Sequence, residues 1–214
     1  QTYFESFDPC LQNGQDVLYL CFSSGLSGTI LSAQMCIQEL QEAYPDRRIL
    51  CIDTLCASLG EGFLVREAAR KQAEGLSFDE LTQWIIDHRL QVCHWFTVDT
   101  FAHLYKGGRV SAAAAVAGTA LQIKPLLHVD EKGELVVADK PRGRKRAITL
   151  QIEKIEQGWE PDLGKLIFIG HGDCPEGAAI LQASMSLTNT SLSAACLLHL
   201  QPTGIRCMDL QQMM

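Results

Sequence analysis

The sequence predicts an α/β protein of two lobes, the first built on a parallel sheet and the second on a mixed or antiparallel sheet with flanking helices. Three observations carry this. Residues 17–22 (VLYLCF) and 48–53 (RILCID) are short, mostly apolar runs of the kind found in strands buried on both faces. Each run hands over to a helical pattern, and strands alternating with helices imply a parallel sheet. Farther along, residues 123–129 (IKPLLHV) and 134–140 (ELVVADK) flank Asp130-Glu131-Lys132-Gly133, the pattern of a hairpin with a short glycine-containing loop.

In the first lobe, Ser27 is placed to cap a helix in which Ile30, Ala33, Ile37 and Leu40 share one face, ended by Pro45 and Asp46. A helix is expected from about Gly60 to Glu74, closed by Gly75. Ser77 and Glu80 have the spacing of a capping box and open a helix through His88. The boundary is expected near residue 90, giving domains 1–90 and 91–214. In the second lobe, residues 91–98 (QVCHWFTV) read as a strand, and Asp99 or Thr100 starts a short helix stopped by Gly107 and Gly108. Ser111 caps an alanine-rich helix over 112–121. After the hairpin, a basic helix is expected to about Gln157, then a strand over 165–171 (KLIFIGH), then a helix begun by Pro175.

A net charge of −7 argues against a general nucleic-acid binder, which is basic over its binding face. The nine cysteines include no C-x-x-C, so zinc-ribbon and thioredoxin-like motifs are absent, and no metal site is expected. Unpaired cysteines suit a reducing compartment, so cytoplasm is expected. The longest apolar stretch, Val110 to Leu121, falls short of the ~20 residues a membrane span needs. The opening QTYFESFDP has no apolar signal region, and Gln1 in place of Met suggests a trimmed chain.

Four segments could carry chemistry. Ser23-Ser24-Gly25-Leu26-Ser27-Gly28-Thr29 lies where a strand meets a helix N-terminus, with free N–H groups, hydroxyls and close backbone access for a carboxylate or phosphate. The competing reading is a small-residue turn before a well-capped helix. As a nucleophile elbow the segment fails, because Thr29 stands where G-x-S-x-G needs its second glycine. Gly60-Glu61-Gly62 opens like a dinucleotide fingerprint, but Val65 takes the third glycine position, and no Walker A sequence is present. Lys106-Gly107-Gly108-Arg109 reads either as a helix stop with two surface charges or as a loop at a ligand mouth. Lys140-Pro141-Arg142-Gly143-Arg144-Lys145-Arg146 is a basic run in an acidic chain: a solvated face, or a docking patch made by Arg142, Arg144, Lys145 and Arg146. Arg142 and Arg144 are expected to be exposed, so alanine at either should change stability by no more than ~0.5 kcal/mol. His171-Gly172-Asp173-Cys174 reads as a loop that caps the next helix.

These segments, in order and spacing, resemble the DegV family. The resemblance runs through SSGLSGT, then IDTLCASLGEGFLVREAA with Asp53, Ser58 and Gly62, then FTVDTFAHLYKGGRVS, IKPLLHVDEKGELVVADKPRGRKRA and HGDCPE, over roughly residues 15–180. It implies two α/β domains holding a long-chain fatty acid in a tunnel between them. Members are similar to the binding subunits of bacterial fatty acid kinase, which offer the acyl carboxylate to a separate ATP-using kinase and perform no phosphoryl transfer. On this basis the carboxylate contacts are Ser23, Ser24, Gly25, Ser27 and Thr29, the mouth is Lys106 to Arg109, and the only ligand expected is the fatty acid, with no other cofactor. The rival from another class is a stand-alone serine hydrolase or acyltransferase using Ser24 or Ser27. Two departures stand out. The family's opening strand with its Thr-Ser-Gln-Pro type segment lies before this chain's start, and the tail SLSAACLLHLQPTGIRCMDLQQMM has His199 without the family's glycine-rich setting.

Overall fold

The computed structural model describes residues 2–111, 122–158 and 166–187. They divide into two compact units, one made by residues up to His94 together with 129–136, the other by 95–128 and the residues from 137 onward.

The first unit holds a pair of parallel strands, β1 (Val17–Cys21) and β2 (Ile49–Asp53), with Val17 opposite Ile49 and Cys21 opposite Asp53. Side chains alternate across the pair, and helices pack on both faces. On one face Val17, Tyr19 and Ile49 pack with Phe7 and Leu11 of α1 (Thr2–Gln12) and Leu40 of α2 (Thr29–Ala43). On the other, Leu18, Leu20 and Ile52 pack with Leu64 and Ala68 of α3 (Ser58–Ala73) and Leu81 and Ile85 of α4 (Phe78–His88). A parallel pair wrapped by helices on both faces is the doubly wound arrangement, in which ligands sit beyond the carboxyl ends of the strands.

The expected capping box is formed: Ser77 Oγ accepts the Glu80 N–H, and Glu80 Oε2 accepts the Ser77 N–H at 2.8 Å. Gly75, at φ +99°, closes the chain after α3. Two boundaries shift. Gly28 occupies the cap position of α2, and the Ser27 hydroxyl reaches the Thr29 N–H from one residue farther out. The helix expected from Gly60 starts at Ser58.

Farther along the chain, β3 (Trp95–Thr97) pairs antiparallel with β4 (Leu126–Val129), Trp95 opposite His128, and β4 turns back into β5 (Leu135–Asp139) in a sheet of order β3-β4-β5. Asp130 Oδ1 fastens the turn by accepting the N–H groups of Lys132 and Glu134. Between β3 and β4 lies the short helix α5 (Ala102–Lys106). Helix α6 (Arg144–Gln157) lies against β3 and α7 (Pro175–Leu187) lies against α6, around Ile148, Ile155, Leu181 and Met185. The fully buried Gln151 donates from Nε2 to the Trp95 carbonyl at 2.7 Å, tying α6 to β3.

Two strand expectations need correction. The run expected over 91–98 pairs only at 95–97, because residues 89–91 form a turn of 3₁₀ helix. Residues 167–170 carry no strand pairing and Leu166 makes a single bridge, since an apolar run becomes a strand only where a neighbour offers its backbone. The helix expected over 112–121 and the tail with His199 lie outside the described residues.

Candidate functional site

The carboxyl ends of β1 and β2 are organised by Ser23, Asp53 and Gly133. Ser23 is fully buried; its Oγ donates to the Gly133 carbonyl at 2.7 Å and accepts the Gly25 N–H at 3.2 Å. Gly133 has φ +75°, and a Cβ there would lie 2.0 Å from Ser23 Oγ. A Cβ on Gly25 would lie 2.8 Å from the Gly133 carbonyl oxygen. Ser23 and Gly25 therefore seat the hairpin tip against the turn, so the Ser23 hydroxyl already has a donor and an acceptor partner.

Asp53 ends β2, and its Oδ1 accepts the N–H groups of Ser24 and Leu55, each at 3.1 Å. One carboxylate thus stitches together the loops leaving both parallel strands, and it holds Leu55 at φ +53°. Arg89 Nη1 adds a 2.6 Å bond to the Asp53 backbone carbonyl. The remaining hydroxyls of the turn are those of Ser24, Ser27 and Thr29, the last two half-buried. Ser24 is exposed and its Oγ has no hydrogen bond among the described residues, while Ser27 Oγ and Thr29 Oγ1 lie 2.5 Å apart at the N-terminus of α2. There the positive end of the helix dipole favours an anion.

Two titratable groups at the start of α3 have environments that sequence reasoning missed. His94 is 4% exposed, and its Nε2 accepts the Ala57 N–H at 3.4 Å. It fits only because residue 60 is glycine: a Cβ there would lie 1.8 Å from the ring. Burial lowers the His94 pKa to about 4, so the ring is neutral at pH 7. Glu61, in the first turn of α3, is pushed up to about 7 by burial. The signal available in the sequence was Gly60 beside Glu61, which reads there as a failed dinucleotide motif. Burial also pushes the Cys51 and Cys56 thiols up to about 12, which disfavours the thiolate and thiol chemistry. Ser24 and Ser27 have no histidine as a hydrogen-bond partner among the described residues.

In the second unit, the segment Lys106-Gly107-Gly108-Arg109 is a Schellman stop for α5. The Arg109 N–H bonds the Leu104 carbonyl at 2.8 Å, the Gly108 N–H bonds the Tyr105 carbonyl at 2.9 Å, and Gly108 takes φ +73°. The basic run divides by environment. Arg144 is not the exposed cation expected from the sequence: its side chain is 24% exposed, pairs with Asp99 and donates to Thr97 Oγ1 at 3.3 Å. Lys124 pairs with the same Asp99 oxygen at 2.6 Å. Arg146 is exposed and pairs with Glu153 at 2.9 Å. Arg142 and Lys145 are exposed, and the Arg142 backbone bridges to Ile123. The stability expectation for Arg144→Ala is therefore revised to a loss of about 1–2 kcal/mol, from a charged hydrogen bond in a half-buried setting. Arg142→Ala should stay within ~0.5 kcal/mol. Parallel urea titrations of the two variants check this, and equal midpoints would show that the Asp99 pair contributes nothing.

His171 Nδ1 accepts the Cys174 N–H at 3.2 Å, so this loop caps α7 as expected. No cluster of His, Cys, Asp or Glu able to hold a metal occurs among the described residues, and no described helix is long and apolar enough to cross a membrane.

A DegV domain-containing protein of Clostridium perfringens is 41% identical over 179 residues, covering 84% of this chain and 62% of that protein, so the chain spans under two thirds of this relative's length. Among solved structures, a DegV family protein from Thermus thermophilus described by its fatty acid binding superposes with a TM-score of 0.76 at 28% identity, over 92% of this chain and 69% of that one. The fatty acid kinase B3 protein of Streptococcus pneumoniae, loaded with linoleic acid, superposes with a TM-score of 0.74 over 86% of this chain and 64% of that one, and at 22% identity the likeness speaks to the fold alone. The sequence profile of the uncharacterised DegV family matches residues 1–203, and the chain belongs to that family.

Proposed function

We propose that this chain binds a long-chain fatty acid, with its carboxylate at the turn after β1, and presents that carboxylate to a separate kinase for acyl phosphate formation. The observation that carries the reading is the cluster of the exposed Ser24 hydroxyl and the half-buried Ser27 and Thr29 hydroxyls at the N-terminus of α2, beyond the carboxyl ends of the parallel strands. Hydroxyls and helix-end N–H groups suit an acid head. The fatty acid binding of the Thermus relative supports the choice of ligand. Gross burial of about 0.8 kcal/mol per CH₂ gives a 16-carbon chain ample affinity. Within the site, Ser24, Ser27 and Thr29 contact the ligand, and Ser23, Gly25 and Asp53 hold the turn in shape. Lys106, Gly107, Gly108 and Arg109 form the ligand mouth in this reading. The exposed cations Arg142, Lys145 and Arg146 are the docking face, with Arg144 fixing the start of α6 behind them. The chain acts in the cytoplasm as a carrier, leaving ATP to its partner.

Extraction of the purified protein followed by mass spectrometry tests the ligand. Acids of about 14–18 carbons are expected, and Ser24→Ala is expected to lower their occupancy several-fold with little change in melting temperature, since an exposed hydroxyl contributes little to folding. Turnover of an acyl thioester by the protein unaided, through Ser24 or Ser27, would replace this reading with the hydrolase, and a protein that retains no acid would overturn carriage.

A further inference from the structure

The outer face of α1 and α2 is not used by the fatty acid reading. The inner sides of both helices are fixed to the sheet, and Tyr44 Oη donates to Asp8 Oδ1 at 2.6 Å to tie them together. On the outer side, Ser32, Met35, Cys36 and Glu39 of α2 line a groove with Phe4 and Glu5 of α1. The four α2 positions have the spacing of a single helical stripe. Met35 is 68% exposed and Phe4 44%, and Leu31, one turn before Met35, is 64% exposed. Isolated exposed apolar residues need no explanation, but three large ones on two adjoining helices form a patch of the kind that marks an interaction site. Methionine at its centre adapts to partners of different shape.

The charged side chains these two helices carry are carboxylates. Glu5 and Glu39 line the groove, Glu42 is exposed farther along α2, and neither helix carries a lysine, arginine or histidine. We propose that this groove docks an amphipathic helix of a partner protein, one with an apolar ridge flanked by lysine or arginine. The stripe from Leu31 to Glu42 runs about 16 Å at 1.5 Å per residue, roughly three helical turns, which suits helix-in-groove binding with anchors at i, i+4 and i+7. Acids at the groove oppose an anionic lipid surface and oppose a second copy approaching through the same face. The proposal is independent of what the turn after β1 binds.

A fluorescent helical peptide of leucine and lysine in amphipathic register, about 14 residues long, serves as the probe, read by anisotropy on the full chain. Saturable binding is expected, weakened by salt, with a leucine–glutamate peptide of the same register failing to bind. Met35→Ser and Glu39→Lys are each expected to weaken binding about tenfold. Glu131→Lys, the same charge change on the exposed hairpin tip, is expected to stay within about twofold. Circular dichroism melts confirm that each variant is folded. Equal weakening by Glu39→Lys and Glu131→Lys would reduce the effect to net charge and overturn the proposal. So would an unchanged affinity in Met35→Ser, preferential binding of phosphatidylglycerol vesicles, or a dimer that Met35→Ser dissolves.

Discussion

Alanine at Gly133 is expected to destabilise the protein by on the order of 3 kcal/mol, among the largest effects of any single substitution in the first unit. Two causes add. The backbone there has φ +75°, which costs a residue with a Cβ about 1–2 kcal/mol. The new Cβ would also meet Ser23 Oγ at 2.0 Å and Leu55 Cα at 3.2 Å. Ser23 is fully buried and cannot swing away without leaving the Gly133 carbonyl unpaired. Gly25→Ala should cost a similar amount, because its Cβ strikes backbone at 2.8 and 2.9 Å and only a shift of the hairpin tip relieves it. The two substitutions act on one contact, so the double variant should lose less than the sum. Ser23→Ala in the Gly133→Ala background separates the causes. It removes the clash and leaves the left-handed backbone cost, so the increment for Gly133→Ala should fall by roughly half. Chemical denaturation of the four proteins gives the values. A Gly133→Ala variant as stable as the parent would show that the hairpin tip is not seated against the turn, and the shape assigned to the site would go with it.

The first lobe was legible because each of its elements announces itself locally. Buried parallel strands read as apolar runs at 17–22 and 48–53, and the Ser77–Glu80 box needs only residues close in sequence. Helix α1 was not: Tyr3, Phe7 and Leu11 have helical spacing, but Pro9 within the helix argues against it from sequence alone. The 165–171 run misled for the opposite reason, since its composition suits a strand and pairing depends on partners elsewhere in the chain. At the turn after β1, residue types singled out the segment but did not divide the labour within it. Nothing in SSGLSGT shows that Ser23 is bonded to a carbonyl 110 positions away, or that Asp53 takes the Ser24 N–H from 29 positions away. The basic run misled about Arg144 in the same way, because Asp99, 45 positions away, determines its environment.

The pH dependence of stability should conceal two large, opposed contributions that single substitutions will separate. His94 has a folded pKa lowered from 6.5 to about 4, so the fold favours its neutral form. That stability is present above pH 6.5 and is lost as pH falls toward 4, because the unfolded chain takes up the proton first. Glu61 runs the other way. Its pKa rises from 4.5 to about 7, so the fold favours the protonated acid. That stability is present below pH 4.5 and is lost as pH rises through 7. At about 1.4 kcal/mol per pH unit, each group amounts to roughly 3 kcal/mol across its window. The windows overlap between pH 4.5 and 6.5, where the two slopes have nearly equal size and opposite sign. The parent protein should therefore show almost no net slope from this pair there. In His94→Gln only Glu61 remains, and stability relative to the parent should fall as pH rises from 4.5 to 6.5. In Glu61→Gln only His94 remains, and relative stability should fall as pH drops over the same range. Taking each variant as a difference from the parent cancels the other carboxylates. Urea midpoints at half-unit pH steps measure both slopes. Parallel profiles for parent and His94→Gln would mean that the imidazole titrates normally, and hence that it is not held unprotonated against the start of α3.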